Sequence, residues 1–214
     1  MVQTFVIKNK TIEKKQTKYS KDNALEENEK VKLLAAVKNL PQIQEPTKFK
    51  YEVLIHLMMN CGLRVTEATQ VRFEWFKETD DGIVINIPPK ARDLNNMKRD
   101  WKPKSAAGKR EVIFINKSVG EKVRAYFINN KKIGMVRQQA YQVIKRLGIA
   151  IDKPKLHPHA LRATYANSLV YAGCNATTLM YFMGWKDLNV ALNYIKSSNM
   201  AARKDIIEKM RTNN

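Results

Sequence analysis

Residues 156–198, LHPHALRATYANSLVYAGCNATTLMYFMGWKDLNVALNYIKSS, contain the signals that decide how the last quarter of the chain folds. Pro158 suits the first turn of a helix and disfavours helix at the residue before it. The apolar side chains at positions 161, 165 and 169 recur at helical spacing and predict a buried stripe. Gly173 and Gly184 are predicted to end two successive helices. The helices that follow them are predicted to begin at the N-caps Asn175 and Asp187. The stretch therefore predicts a series of helices, the last of which carries Tyr194.

The same stretch and one upstream turn carry side chains that suit phosphate chemistry. His159 and Arg162 share a helix face, so both can approach one phosphate. Arg64 follows a Cys-Gly turn in NCGLRVTEA (60–68), and Glu67, one turn later, is predicted to hold it in place. The planar guanidinium of arginine matches the geometry of phosphate oxygens. A tyrosine can form a covalent intermediate, and Tyr194 is predicted to be exposed. These residue types together predict attack on a phosphodiester.

The remainder of the chain is predicted to be mainly helical, with a small antiparallel β-hairpin or sheet. Pro41 and Pro46 are predicted to interrupt the helices around them. Helices are predicted over residues 25–40 and 48–60, from a capping box at 118–121, and over residues 135–147 up to Gly148. The alternating segments GIVINI (82–87) and REVIFI (110–115) are predicted to pair as strands. The predicted fold class is therefore α+β.

The connection between these two strands is strongly basic. Residues 88–110 hold eight basic and two acidic side chains. A long hairpin of this charge suits a phosphate backbone, although a solvated loop is the alternative interpretation. The candidate nucleic-acid contacts are Lys90, Arg92, Lys98, Arg99, Lys102, Lys109 and Arg110.

Composition narrows the classes of partner and site. A formal net charge of +19 favours an anionic partner, with nucleic acid first, over a merely soluble basic protein. The two cysteines do not form a disulfide framework, and no Cys/His cluster or carboxylate set indicates a metal. No apolar run is long enough to predict a membrane span, and the first residues lack a secretory signal. A cytoplasmic or nucleoid-associated location is expected.

Four motifs in order resemble the tyrosine recombinase (phage integrase) family. They are GLRVTEA, KPKSAAGKREVIF, HPHALRATYA and MGWKDLNVALNY, and the resemblance covers roughly residues 25–195. It implies the catalytic-domain fold of that family and metal-free transesterification of double-stranded DNA through a 3′-phosphotyrosyl intermediate, without a cofactor. It also implies a homotetramer on DNA, and an origin in a virus or plasmid is compatible with it.

The resemblance assigns a role to each matching position. Tyr194, ten residues after Gly184, is the expected nucleophile, and Arg64 and Arg162 are expected to neutralise the phosphate oxygens. His159 is expected to hydrogen-bond the phosphate. Lys104 is the expected general acid, and a shift of one register in the hairpin would put Lys102 or Lys109 in its place. Trp185 can donate one hydrogen bond but cannot shuttle protons.

The chain departs from the family pattern before and after this region. Residues 1–24 are expected to form a basic arm or linker, with a disordered, solvated tail as the alternative. The family carries a helical DNA-clamping domain at this position, so the chain is either a catalytic fragment or a minimal recombinase. Residues 25–198 would form the catalytic domain. Residues 199–214 would form a helical tail that docks on its own domain or on a neighbouring protomer. Ala163 stands where the family often has a second histidine.

Two other functions fit parts of the same pattern. A topoisomerase IB-like enzyme or a hairpin-forming resolvase would share the chemistry and differ in the fate of the joined strands. A non-catalytic or degenerate DNA-binding protein would need the positive charge but not Tyr194, Arg64 or Arg162.

Overall fold

The computed structural model of the protein describes residues 24–88, 109–196, 206–207 and 210. The helices are α1 (Glu27–Lys38), α2 (Glu45–Met59), α3 (Val65–Ala68), α4 (Lys117–Asn129), α5 (Arg137–Ala150), α6 (Pro158–Tyr171), α7 (Ala176–Met183) and α8 (Leu188–Lys196). The strands are β1 (Phe76–Thr79), β2 (Gly82–Ile87) and β3 (Arg110–Ile113), and a short 3-10 helix, Phe73–Trp75, precedes β1. The prediction of a mainly helical fold with a small antiparallel sheet is confirmed.

The sheet has the order β1-β2-β3, and both pairs of neighbours are antiparallel. Ile85 of β2 lies opposite Phe76 of β1 and Val112 of β3, which fixes the register. The predicted pairing of the segments 82–87 and 110–115 is confirmed, and β1 was not predicted. The sheet places the start of β3, and therefore Arg110, against the helical layer, because α7 packs on β3.

Helix α2 is the centre of the core. Its last seven residues, Val53–Met59, are all buried, and it packs against α6 as well as α1, α4 and α5. Burying one large aliphatic side chain contributes about 1.5–3 kcal/mol, so this helix is strongly anchored. The turn that follows α2 is thereby held in a fixed position beside α6.

Gly62 allows the chain to make that turn. Its φ of +65° is a conformation that residues with a Cβ rarely adopt, and an added Cβ would overlap the Tyr165 ring. The Tyr165 hydroxyl donates to the Ile113 carbonyl at 3.0 Å, which fixes the ring between α6 and β3. The Cys-Gly turn therefore determines the position of Arg64, two residues after Gly62.

Several predicted helix ends are confirmed and three are corrected. Asn175 caps α7 through the Thr178 amide, and Gly184 ends α7 in the left-handed conformation, as predicted. The prediction of a capping box at 118–121 is wrong. The N-cap residue is Asn116, whose side chain accepts a hydrogen bond from the Val119 amide, and α4 begins at residue 117. The other corrections are that α2 begins at Glu45 with Pro46 in its first turn, and that α5 continues past Gly148 to Ala150.

Most of the two predicted terminal segments lies outside the described residues. In the tail, Ile206, Ile207 and Met210 are helical and exposed. Within the described ranges, no helix combines the length and the apolar character that crossing a bilayer requires.

Candidate active site

Arg64 and Glu67 form a tight pair at the start of α3. The Arg64 amide donates to Glu67 Oε2 at 2.7 Å, and Arg64 Nη1 donates to Oε1 at 2.8 Å. The Glu67 side chain is buried, whereas the Arg64 side chain keeps 20% of its surface exposed. Glu67 therefore fixes the guanidinium of Arg64 while leaving part of it accessible to an anion.

Arg162 reaches the same place from α6. Its guanidinium is buried, donates to the carbonyls of Gly62 and Met183, and lies 3.9 Å from Glu67. Burial lowers the pKa of Arg162 to about 9, with the charge of Arg64 acting in the same direction. A guanidinium with that pKa remains protonated at neutral pH, so the site holds two neighbouring positive charges.

Arg110 is a third arginine at the same carboxylate. Its Nη1 donates to Glu67 Oε1 at 3.0 Å and its Nη2 donates to Oε2 at 2.8 Å. Burial acts to raise the pKa of Glu67, but the hydrogen bonds from Arg110 and the surrounding arginine charges lower it to about 2. The carboxylate is therefore ionised over the whole physiological range.

The structure corrects the prediction that Arg110 contacts nucleic acid. Its side chain is 1% exposed, so it lies inside the protein rather than on a basic surface. The strand pattern carried a signal for this, because Arg110 and the buried Val112 lie on the same face of β3. Lys109, the neighbouring predicted contact, is exposed.

The end of α7 is bound by all three arginines. The carbonyls of the consecutive residues 182–184 accept hydrogen bonds from Arg110, Arg162 and Arg64, in that order. The last carbonyls of a helix lack partners within the helix and carry a partial negative charge. Guanidinium groups from β3, from α6 and from Arg64, the N-cap residue of α3, satisfy them here. No local sequence pattern indicates this arrangement.

Trp185 and Tyr194 stack beside this helix end. Their ring centroids are 4.9 Å apart. Tyr194 is 7% exposed, so the prediction of an exposed tyrosine is wrong. Its hydroxyl lies near enough to Arg162 to influence the pKa of that guanidinium. The structure thus brings Arg64, Arg162, Trp185 and Tyr194 into one region.

His159 lies on the exposed side of this region. It is exposed on the first turn of α6, one turn before Arg162. Its ring centroid is 6.1 Å from that of His157, which is the N-cap residue of the helix and whose pKa burial lowers. The helix thus presents His159 at the surface and Arg162 inside.

The predicted general acid and most of the basic connection fall outside the described residues: Lys104, Lys90, Arg92, Lys98, Arg99 and Lys102. Among the described residues, no group of three or more His, Cys, Asp or Glu side chains could hold a metal ion. The chemistry that the described part supports is anion neutralisation by two arginines beside a tyrosine hydroxyl.

The chain is similar in sequence to known proteins. Residues 23–200 match the model of the phage integrase family. The chain is 25% identical over 173 residues to the tyrosine recombinase XerD of Neisseria meningitidis serogroup B. That similarity covers 79% of this chain and 56% of the relative, so the chain spans little more than half of the relative's length.

Solved structures share the fold. The crystal structure of XerA recombinase superimposes with a TM-score of 0.63 and 16% identity, over 87% of this chain and 64% of that chain. The Tn1549 transposon integrase, solved in complex with circular intermediate DNA, gives a TM-score of 0.59 and 19% identity. This match covers 87% of this chain and 66% of that chain.

Proposed function

Because the chain belongs to the phage integrase family, we propose that it is a site-specific DNA recombinase or integrase that cuts and rejoins DNA through a phosphotyrosyl intermediate. The observation that carries the proposal is the convergence of Arg64 and Arg162 on Glu67, next to the stacked Tyr194. These residues come from three separate helices, and together they suit an attack on a phosphodiester.

The proposed first step is a transesterification. The Oη atom of Tyr194 attacks phosphorus, an O–P bond forms, and the bond between phosphorus and the 5′ oxygen breaks. The tyrosine loses its proton to a base, and the leaving 5′ oxygen gains one from a general acid, for which Lys104 is the candidate. A 5′-hydroxyl of another strand then reverses the step, so no high-energy cofactor is needed.

The arginines act on the charge that develops at phosphorus. Arg64 and Arg162 neutralise the non-bridging oxygens, which stabilises the transition state more than the ground state. Because Glu67 and the carbonyls of residues 182–184 already orient these guanidiniums, little reorganisation is needed during the reaction. His159 donates a hydrogen bond to the same phosphate, and Trp185 positions Tyr194.

Double-stranded DNA is the proposed partner. The net charge of +19 supports it, as does the similarity to an integrase that was solved with DNA. A homotetramer on DNA, a location at cytoplasmic DNA and an origin in a mobile element complete the proposal. The similarity to a transposon integrase supports that origin.

A covalent-adduct assay tests the function. The wild type, Tyr194→Phe and the control Tyr141→Phe, which alters an exposed tyrosine of α5, are incubated with nicked DNA in EDTA and analysed on denaturing gels. The expected result is an adduct with the wild type and the control and none with Tyr194→Phe, while all three bind DNA equally. An adduct of equal yield with Tyr194→Phe would contradict the nucleophile assignment. Firm DNA binding by all three without any adduct would instead favour a non-catalytic DNA-binding protein.

A further inference from the structure

The structure leaves Arg110 with an ion pair but without a role in the proposed reaction. Its side chain is 1% exposed, and it forms a two-point hydrogen-bonded pair with Glu67. Burying a guanidinium costs desolvation free energy, which only a charged partner with good hydrogen-bond geometry offsets. All three guanidinium nitrogens of Arg110 donate to Glu67 or to the Phe182 carbonyl, so a role in the reaction would act through these residues.

The first residue through which Arg110 acts is Glu67. Each carboxylate oxygen accepts one hydrogen bond from Arg110 and one from Arg64: Oε1 from the two Nη1 atoms, and Oε2 from Arg110 Nη2 and the Arg64 amide. The orientation of the carboxylate is therefore shared between the two arginines. Without Arg110, the carboxylate would lose half of the bonds that fix its plane.

The second point of action is the turn after α7. Arg110 Nε donates to the Phe182 carbonyl at 3.0 Å. A Cβ added to Gly184 would lie 3.0 Å from both Cδ and Nη1 of Arg110, so the arginine packs directly on this glycine. The Gly184 carbonyl in turn accepts from Arg64 Nη2 at 2.7 Å. Arg110 therefore contacts both groups that hold the Arg64 guanidinium.

We infer that Arg110 is a positioning residue for the reaction, which sets the guanidinium of Arg64 by bracing both Glu67 and the Gly184 turn. The inference rests on the proposed function, since it concerns the phosphate that Arg64 would neutralise. Arg110 touches neither DNA nor the reacting atoms. Its effect on cleavage passes through Arg64 and should disappear when Arg64 is removed.

The test compares Arg110→Met, Arg64→Ala and the double variant in single-turnover cleavage and in DNA binding. Arg110→Met should cleave on the order of 100-fold more slowly, because small misplacements of a catalytic group have effects of that size. Its DNA affinity should remain unchanged. The double variant should cleave no more slowly than Arg64→Ala alone, because coupled residues are not additive. Arg124→Met, which removes another paired and partly buried arginine, is the control and should cleave like the wild type.

A second readout separates positioning from general loss of structure. On DNA with a methylphosphonate at the cleavage site, one negative charge is absent, and neutralisation by arginine matters less. The defects of Arg110→Met and Arg64→Ala should then shrink together, whereas a partly unfolded variant would lose activity equally on both substrates. If Arg110→Met does not fold, Arg110→Lys replaces it, and slow cleavage by that folded variant supports the inference.

Three results would overturn the inference: cleavage at the wild-type rate by a folded Arg110 variant, additive losses in the double variant, or equal losses on both substrates. A wild type that forms no adduct would contradict the proposed function instead. In that case unfolding measurements decide the inference. Coupled effects of Arg64→Ala and Arg110→Met on the free energy of unfolding support the bracing contact, and independent effects overturn it.

Discussion

The rings of Trp185 and Tyr194 lie 4.9 Å apart at an interplanar angle of 32°, and Tyr194 is 7% exposed. An aromatic pair of this kind contributes about 0.5–1.5 kcal/mol beyond the burial of its surface. The hydroxyl that would attack DNA is therefore held against the protein in this conformation. We therefore expect Trp185 to limit the accessibility of Tyr194.

Trp185→Ala should make Tyr194 more reactive toward solvent reagents. Removing the indole uncovers the phenol ring, so nitration of Tyr194 by tetranitromethane should be faster than in the wild type. Peptide mass spectrometry measures the nitration of each tyrosine. The exposed Tyr141 is the internal control and should react at the same rate in both proteins. Equal nitration of Tyr194 in both proteins would show that Trp185 does not cover it.

Arg64→Ala should impair cleavage far more than DNA binding. Removing one donor that stabilises transition-state charge typically lowers the rate about 10²- to 10³-fold. Adduct formation under single-turnover conditions and fluorescence anisotropy with labelled DNA measure the two effects separately. Arg137→Ala, at an exposed arginine of α5, should change neither the rate nor the affinity. Equal losses in binding and cleavage would mean that Arg64 serves mainly as a binding residue.

Glu67→Gln should reduce stability in a manner that depends on pH. The folded pKa of Glu67, about 2, is below the ordinary value of 4.5, so its ionisation stabilises the fold above pH 4.5, and this contribution is lost as the pH falls toward 2. Glu67→Gln leaves buried arginines without a counter-charge and should cost roughly 3–5 kcal/mol at pH 7.

Urea unfolding at pH 7 and at pH 3 measures this difference. The difference in the free energy of unfolding between the wild type and Glu67→Gln should be smaller at pH 3 than at pH 7. Glu78→Gln, at an exposed carboxylate that pairs with Arg124, should show no such gap. A gap of constant size at both pH values would contradict the low pKa of Glu67.

Gly62→Ala should destabilise the protein by more than about 1 kcal/mol, because both the positive φ and the Tyr165 ring oppose a Cβ. Gly134→Ala is a matched control, since Gly134 has a φ of +64° and nothing within 4 Å of an added Cβ. Thermal unfolding of both variants separates the backbone strain from the overlap with Tyr165. Equal destabilisation of the two variants would mean that the ring moves aside at no cost.

Much of the fold follows from local sequence signals, and the exceptions have local causes. Helices α1, α6 and α7 follow from apolar periodicity, caps and Gly184. Strand β1 has the sequence FKET, whose partly exposed residues show no strong alternation of apolar and polar side chains. Gly148 does not end α5; instead, a Cβ there would overlap Leu156, so the glycine allows a close approach that the local sequence does not show.

The candidate site was predictable in its residue types but not in its interior arrangement. Arg64, Glu67, Arg162 and Tyr194 could be selected from motif order and spacing. The hydrogen bond from Arg64 to Gly184, however, joins residues 120 positions apart, and that from Arg162 to Gly62 spans 100 positions. Such contacts depend on how helices pack, which local patterns in the sequence do not reveal. Arg110 was predicted to contact nucleic acid, although the alternation of β3 places it on the same face as the buried Val112.

The binding of residues 182–184 by arginines from three different segments has a mechanical consequence. The end of α7 is fastened to α3, β3 and α6 at once, so it cannot swing away without breaking a bond in each of them. Any movement of Tyr194 that keeps these three bonds would therefore take place beyond residue 184, in the stretch that contains residues 185–187 and α8.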